Sequence, residues 1–491
     1  MEERMHSPRS PRLLRRLGAA LGLATALVTT AAAPALAQPA PPPAEAARPA
    51  RPVDPTVAHE KYVLPNGLEV ILIPDNSVPL VAVSVWYHVG SGYETVGKSG
   101  FAHLFEHMLF QGSKNVGSDK HFEILKKIGM STVNGTTNPN RTNYFEVVPS
   151  HQLDTALWLE SDRMGHLLPL LTLDSLKNQI DVVRNERRQR YDNVPYGKTR
   201  FALYAALYPE GHPYRYLTIG KHEDLEAATL EDVRNFYKTW YVPANATLAI
   251  TGDFDQKTIK ATVARWFGGF PKSTKPTVVR VPAPTSKAQT VEVSDGMAKL
   301  RQIQWAWHSP AVMHPGDAEF DILADVLARE GTGRLYKALV YDRQLAQSVS
   351  AFQQSTDFSS IFSISVTLRT GADLEQVKQV VAEELARLRR EPISDRERAR
   401  AVTAYEAQAT YGLESLLARG ELLQGYNHSI GRPDGITYDL DRYRQASPAT
   451  IQAAVTRYLA DDQTVTVITN PAAAAAAAGG SARTTPAGGT P

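Results

Sequence analysis

Three ionisable side chains, His103, Glu106 and His107, interrupt the otherwise apolar segment 100–112. If this segment is helical, the two imidazoles lie four residues apart on one face, and both can bind a single metal ion. Glu106 follows His103 by three residues, so its carboxylate can hold a water molecule on that ion. The pattern His-x-x-[Asp/Glu]-His is expected by chance about 0.04 times in a chain of this composition. The alternative is a pair of core histidines with a structural salt bridge, which requires every buried charge to be paired.

Two histidines leave a catalytic zinc site one protein ligand short, and Glu186 is the best candidate for the third. It takes the next position on the apolar stripe of a predicted helix, which consists of Leu176, Ile180 and Val183. A carboxylate on such a stripe needs a partner, and a cation is a natural one. The alternative is a surface glutamate paired with Arg190, four residues on. The spacing alone does not decide between the two.

Zinc held by His103, His107 and Glu186 would leave its fourth position for water, as in catalytic sites with two His ligands and one Glu. Such an ion lowers the pKa of the water toward neutrality and polarises a substrate carbonyl. Glu106 is the candidate general base, which takes a proton from the water and later gives one to the leaving amine. The predicted reaction is peptide-bond hydrolysis without a covalent intermediate.

Two helices have to position these residues. Ser99 is expected to cap the first helix and Gly112 to end it, and the abundance of apolar residues predicts that this helix is buried. The second helix is expected to begin at Asp174 or Ser175.

The chain contains one structural unit twice. Residues 228–252 fall on residues 446–470 without a gap when they are shifted by 218 positions, and the helix and strand periods stay in phase. Residues 303–307 resemble residues 83–87, about 220 positions earlier. Both halves mix strands with long helices. We therefore predict an α+β fold of two similar halves, each a sheet covered by helices.

The ends of the chain differ in composition from its body. Four arginines, a short apolar stretch and the sequence Ala35-Leu36-Ala37 predict a secretory signal, with a membrane anchor as the alternative. The protein is therefore expected to be exported, either to the periplasm or out of the cell. The predicted parts are a signal peptide (1–37), a Pro/Ala-rich linker (38–56), a catalytic N-terminal domain (57–270), an interdomain linker (271–285), a C-terminal domain without a zinc site (286–470) and a disordered tail (471–491).

The composition argues against several classes of protein. No cysteine occurs, which rules out disulfides, thiolate metal sites and a cysteine nucleophile. Without residues 1–37, which hold five Arg and two Glu, the 53 Lys+Arg become 48 and the 51 Asp+Glu become 49. The resulting net charge of −1 argues against nucleic-acid binding. Beyond the N-terminus no run of about 18 apolar residues occurs, so no stable membrane span is expected.

The order His-x-x-Glu-His reverses the commoner zinc-peptidase motif. It resembles the zinc helix of the M16 metallopeptidases, which include pitrilysin, insulin-degrading enzyme and the mitochondrial processing peptidase. Residues 182–188 resemble the segment that holds the family's third ligand, with 78 residues between His107 and Glu186. The resemblance covers nearly the whole mature chain. It implies Zn²⁺ as cofactor, a metalloendopeptidase acting on peptides or unfolded segments, and a mostly antiparallel sheet in each half.

A second stretch of the N-terminal half also resembles the family. The runs Asn134-Gly135-Thr136-Thr137 and Thr142-Asn143-Tyr144 are similar to an edge strand that pairs with the substrate backbone. The resemblance implies substrate-binding roles for Asn134, Gly135, Thr136 and Tyr144. Gln179 stands where the family usually has an acidic residue behind the ligands, so it is expected to hydrogen-bond a ligating histidine without adding charge.

The C-terminal half departs from active members of the family. Those members carry an Arg and, seven residues later, a Tyr, whereas the corresponding places here hold Val340 and Gln347. The residues where a second zinc triad would stand are near Leu323, Val326 and Leu327. The resemblance thus implies a zinc-bearing subunit whose Arg/Tyr pair comes from a second M16-like chain.

Two alternatives remain open at this stage. The missing pair can instead be replaced from within the chain, by Arg334, Tyr336, Tyr341 or Arg343. The alternative function is that of a non-catalytic M16-like subunit for peptide binding or assembly, against which the intact set of His103, Glu106, His107 and Glu186 argues.

Overall fold

The computed structural model describes residues 53–282 and 284–472. The predicted signal peptide, all but the last four residues of the Pro/Ala-rich linker and nearly all of the predicted tail lie outside the described residues. Within the described part of the chain, no helix is both long and apolar enough to cross a membrane.

The N-terminal half contains a six-stranded sheet with the strand order β1-β2-β6-β3-β5-β4. Its strands pair antiparallel except for β2 and β6, which are parallel. The elements are β1 (Glu60–Val63), β2 (Glu69–Pro74), β3 (Leu80–Tyr87), α1 (Phe101–Met108), α2 (His121–Lys127), β4 (Thr132–Thr137), β5 (Thr142–Pro149), α3 (Leu153–His166), α4 (Leu173–Arg187), α5 (Gly197–Leu207), α6 (His222–Glu226), α7 (Leu230–Trp240), β6 (Ala246–Gly252) and α8 (Ile259–Phe267).

The C-terminal half contains a five-stranded sheet with the strand order β7-β11-β8-β10-β9. Here β7 and β11 are parallel and the other pairs are antiparallel. The elements are β7 (Gln289–Asp295), β8 (Gln302–Ser309), α9 (Asp317–Ala328), α10 (Arg334–Tyr336), β9 (Ala346–Gln354), β10 (Ser360–Leu368), α11 (Leu374–Arg390), α12 (Asp395–Tyr411), α13 (Leu416–Ile430), α14 (Ile436–Gln445), α15 (Pro448–Tyr458) and β11 (Val465–Pro471).

The predicted repeat is confirmed. A shift of 218 residues carries α7 onto α15 with identical bounds and carries β6 onto β11 within one residue. The strand order β2-β6-β3-β5-β4 corresponds to β7-β11-β8-β10-β9, so the second sheet repeats the first without its outermost strand. The predicted α+β class, with two similar halves and mostly antiparallel sheets, is also confirmed.

One helix of each half packs on the sheet of the other half, and the described residues from Asp54 onward accordingly form one compact unit. Helix α13 packs on β3 and β6, where Leu423 lies against Ile71, Ile73 and Ala249. Helix α5 packs on β7, β8 and β11, where Leu203 and its neighbours contact the second sheet. Strands β3 and β6 are therefore covered on both faces, which explains why their sequences run apolar instead of alternating.

Candidate metal centre

Helix α1 carries His103, Glu106 and His107 and is buried on most of its surface, as predicted. The predicted cap was wrong. The N-cap residue is Gly100, in the left-handed region at φ +88°, and the side chain of Ser99 instead donates to Asp224. Glu94 accepts hydrogen bonds from the backbone N–H groups of Gly100 and Ala102, each at 2.8 Å. A carboxylate from a preceding loop thus satisfies the free donors at the start of the helix. The helix ends at Met108, short of the predicted Gly112.

Helix α4 brings the third candidate ligand to this helix. Its N-cap is Thr172, which forms a capping box with Ser175, so the expected start at Asp174 or Ser175 was late by two or three residues. The predicted stripe is correct, since Leu176, Ile180 and Val183 are all buried. Glu186 follows one turn later, where α4 passes α1. Hydrophobic packing of the stripe therefore sets the position of this carboxylate.

The three candidate ligands converge on one point. Their ligand atoms all lie within 4.8 Å of one another. Oε2 of Glu186 is 3.1 Å from Nε2 of His107 and 3.4 Å from Nε2 of His103. The other oxygen, Oε1, lies 3.0 Å from Nη1 of Arg190. Glu186 thus faces the two imidazoles with one oxygen and pairs with Arg190 through the other, and its role as a metal ligand stays a prediction.

The protonation of these groups fits a cation between them. Burial and the neighbouring His107 lower the pKa of His103 to about 4, so this imidazole is neutral near pH 7 with a lone pair free to bind a metal. Burial pushes the pKa of Glu186 upward, but the hydrogen bond with His107 and the positive charge of Arg190 act in the opposite direction, and the pKa is lowered. Two imidazole nitrogens and one carboxylate oxygen are the donor set of catalytic zinc sites.

Glu106 lies beside the trio and is held by the edge strand β4. The hydroxyl of Thr137 donates to its Oε2 at 2.7 Å. Burial raises the pKa of Glu106 above its ordinary value, although the Thr137 hydrogen bond acts in the opposite direction. Thr137 was missed in the sequence, and its place at the end of the Asn-Gly-Thr-Thr run was the only signal for it. The carboxylate is thus fixed through one oxygen and free to exchange a proton at the other.

The predicted substrate strand is β4, and it is the edge strand of the first sheet, paired only with β5 among the described residues. Asn134 is exposed and Thr136 is half-buried. Gly135 is buried, because β4 crosses α1 so closely that a Cβ there would lie 2.9 Å from Cγ of Glu106.

Tyr144 requires a correction. Its ring is fully buried, and its hydroxyl donates to the backbone carbonyl of Phe105 at 3.0 Å. It therefore supports α1 from inside the protein and does not line the cleft. The resemblance identified a structurally important tyrosine and gave it the wrong role.

Gln179 is buried on α4, but no hydrogen bond joins it to either imidazole within the described residues. Nδ1 of His103 is also buried and has no hydrogen-bond partner there. The predicted support of a ligand by Gln179 therefore stays a prediction.

The C-terminal half has apolar residues where a second triad would stand, since Leu323, Val326 and Leu327 are all buried on α9. Arg334 is held by the carboxylates of Glu384 and Glu397 at 2.6–2.8 Å. This guanidinium is therefore not free to replace the missing family arginine.

The other candidates for the Arg/Tyr pair have different surroundings. Tyr336 and Tyr341 pack on each other with ring centroids 5.8 Å apart, and Nη2 of Arg343 lies 3.8 Å from Glu383. Val340 is half-buried and Gln347 is exposed.

Comparison with known proteins gives a consistent result. Residues 69–211 match the family model described as insulinase, peptidase family M16, and residues 227–405 match the one described as peptidase M16 inactive domain. The zinc protease PqqE of Helicobacter pylori is 27% identical over 422 residues, which cover 84% of this chain and 93% of that protein.

Two solved structures share the fold. The crystal structure of a protease from Helicobacter pylori has a TM-score of 0.78 at 27% identity, covering 84% of this chain and 100% of that chain. The periplasmic protease PqqL from Escherichia coli has a TM-score of 0.71 at 18% identity, covering 87% of this chain and 49% of that chain.

Proposed function

The chain belongs to the M16 family of peptidases, and on this premise we propose that it is a zinc-dependent endopeptidase. Its substrates would be peptides or unfolded polypeptide segments bound as an extended strand. The observation that carries the proposal is the convergence of His103, His107 and Glu186 on one point with the carboxylate of Glu106 beside them. The relationship to the zinc protease PqqE of Helicobacter pylori supports the same metal.

The side chains of α1 and α4 would hold the metal. His103 and His107 offer Nε2 atoms and Glu186 offers Oε2, with Arg190 keeping the second oxygen of Glu186 engaged. When bound, a divalent ion at this place polarises the carbonyl of the scissile peptide and makes a nearby water more acidic. Nitrogen ligands favour zinc over magnesium or calcium.

Glu106 would move the protons. Its Oε2 accepts from Thr137, so Oε1 is the atom that takes a proton from the attacking water. The same carboxyl group then donates a proton to the leaving amine. Burial raises the pKa of Glu106, which makes the carboxylate a stronger base than an exposed glutamate.

The edge strand β4 would hold the substrate. Its unpaired edge can add a further strand through main-chain hydrogen bonds, which give affinity with little demand on sequence. Because the side chain of Thr137 at the end of β4 bonds to Glu106, a peptide added along this edge would pass directly over the candidate site.

Two further proposals concern the setting of the activity. We propose that a second M16-like chain completes the site, since the family's Arg and Tyr places hold Val340 and Gln347 and Arg334 is engaged by two glutamates. We also propose that the protein works outside the cytoplasm. The signal-like residues 1–37 and the fold shared with the periplasmic protease PqqL support this location.

The test uses the purified chain, alone and with an M16-like partner. Bound metal would be measured by mass spectrometry, and cleavage of an internally quenched peptide would be followed for the wild type and Glu106→Gln. The proposal predicts one zinc per chain in both proteins and turnover only in the wild type. The matched control is Glu123→Gln, which removes an exposed glutamate of α2 and should keep both zinc and turnover.

Three outcomes separate the alternatives. Peptide binding without cleavage, with and without the partner, would indicate a non-catalytic subunit. Full activity of the isolated chain would remove the need for a partner. Loss of zinc in Glu106→Gln would show that the ligand set is different.

A further inference from the structure

A cavity of about 580 Å³ lies between the two halves and adjoins the candidate site. It is lined by Thr137, which bonds Glu106, and by Arg190, which pairs with Glu186. Ligand pockets commonly measure roughly 300–1,000 Å³. The cavity is therefore large enough for several side chains of a peptide that extends beyond the site.

One wall of the cavity is the face of the second sheet that α9, α11 and α15 leave uncovered. Successive residues of a strand point to opposite faces, and the residues of β8, β9 and β10 that alternate with the core residues line the cavity. Most of them are polar and uncharged, namely Gln302, Gln304, Ser350, Gln354, Ser363 and Ser365, and two are apolar, Phe352 and Ile361. The hydroxyl of Ser363 is fully buried and has no hydrogen-bond partner within the described residues.

The opposite wall comes from the N-terminal half, mainly from α5 and the segment before it. Tyr191, Tyr196 and Tyr204 line it, and the hydroxyl of Tyr204 donates to Gln354 across the cavity at 2.8 Å. Tyrosine with small polar residues gives adaptable hydrogen bonding at low cost in side-chain entropy. Such walls accept varied peptide sequences.

The charged side chains in the lining of the cavity are positive. Among the described residues, the charged residues of the lining are Arg190 and Arg200, and no Asp or Glu is found there. Arg190 already pairs with Glu186. Arg200, on α5, forms no ion pair within the part of the chain that is described. Its guanidinium is thus an uncompensated positive charge at the cavity wall.

We propose that this cavity is a substrate subsite that favours a peptide carrying a carboxylate near the scissile bond, with Arg200 as the residue that sets the preference. The inference rests on the proposed peptidase function. The carboxylate comes either from an acidic side chain or from the C-terminus of the peptide, and a guanidinium recognises both in the same way.

The test measures peptide binding without turnover, by fluorescence anisotropy on the zinc-loaded Glu106→Gln protein. The probes are extended peptides that are blocked at both ends and labelled with an uncharged dye. They have either Glu or Gln at the centre and no other charged residue. A second pair has Gln at the centre and either a free or an amidated C-terminus. One carboxylate on a partly exposed guanidinium should tighten binding about fivefold, and added salt should reduce the difference.

Three further substitutions in the same background assign the effect. Arg200→Gln should bring the affinity ratio of the charged and uncharged peptides close to one, and Arg200→Lys should restore part of the preference. Lys198→Gln is the matched control, because Lys198 is also exposed on α5 but does not line the cavity. Circular dichroism of each variant verifies that the fold is intact.

The outcomes separate this inference from the proposed function. Equal affinity for charged and uncharged peptides, or a preference that survives Arg200→Gln, would overturn the proposed subsite. In that case, cleavage of the uncharged peptide by the wild type would still support the peptidase function. If no peptide binds and none is cleaved, both proposals fall. Preference for the central Glu or for the free C-terminus identifies the source of the carboxylate.

Discussion

Replacement of Gly135 with alanine is expected to displace Glu106 and to slow catalysis far more than it weakens metal binding. Strand β4 passes over α1 at this residue. A Cβ there would lie 2.9 Å from Cγ of Glu106 and 2.9 Å from Cε2 of Phe110. Carbon atoms in contact normally lie about 3.5–4.0 Å apart, so the strand or these side chains must move by roughly 0.6–1 Å.

The size of the effect follows from this displacement. Overpacking by one methyl group costs about 1–3 kcal/mol in the free energy of unfolding. A misplacement of about 1 Å at a reacting group can lower turnover roughly 100-fold. None of the three atoms nearest to the new Cβ belongs to His103, His107 or Glu186, so the zinc content should stay near that of the wild type.

The assay combines three measurements on Gly135→Ala: urea unfolding, kcat on a quenched peptide in the presence of the M16-like partner, and bound zinc. Gly269→Ala is the matched control, because a Cβ at Gly269 would have no heavy atom within 4 Å and no positive φ restricts it. An unchanged kcat in Gly135→Ala would refute the placement of Glu106 under β4. Loss of zinc in step with kcat would show that the effect reaches the ligands instead.

Three other substitutions test buried polar contacts in the two halves. Glu94→Ala leaves the buried N–H groups at the start of α1 without acceptors, which costs about 1–3 kcal/mol each in the free energy of unfolding. Glu94→Gln retains one acceptor, so urea unfolding should show a smaller loss of stability. Equal losses in the two variants would contradict the capping role. Burial raises the pKa of Asp321 to about 7, so its contribution to stability is present below about pH 4, the unfolded value, and is lost as the pH rises through about 7. Asp321→Asn should flatten the unfolding free energy over that window, and an unchanged profile would contradict the assignment. Arg334→Ala leaves the carboxylates of Glu384 and Glu397 without their partner and should cost about 3 kcal/mol, whereas retained stability would mean that this arginine is free to act elsewhere.

The sequence predicted the elements whose signals are local and periodic. The motif His103-x-x-Glu106-His107 lies within five residues, so the geometry of a single helix is enough to bring its groups together. Glu186 was found because α4 has a regular apolar stripe whose next position it occupies. The repeat was found because the helix and strand periods of residues 228–252 and 446–470 stay in phase at a shift of 218 positions.

The errors concern contacts between residues distant in sequence. The cap of α1 is Glu94, which reaches the helix from a separate loop, and no pattern near Ser99 indicates this. Tyr144 was assigned to substrate binding from the family resemblance, yet the strand alternation turns its ring inward under α1. Thr137 contacts Glu106 only because two elements cross.

The cavity was also invisible in the sequence, for the same reason. Its walls come from β8, β9 and β10 on one side and from α5 on the other, and these elements meet only after the two halves pack together. Alternating Ser and Gln in those strands marks a polar face. Only the structure shows that this face lines the cavity next to the candidate site.

The central claim is that His103, His107 and Glu186 bind one divalent ion, and anomalous diffraction from a zinc-soaked crystal of the chain tests it most directly. The account predicts one strong peak at the zinc edge, within bonding distance of both Nε2 atoms and Oε2 of Glu186, with Glu106 next to it. A peak at another place, or a Glu186 carboxylate turned wholly toward Arg190 with no ion beside the imidazoles, would contradict it.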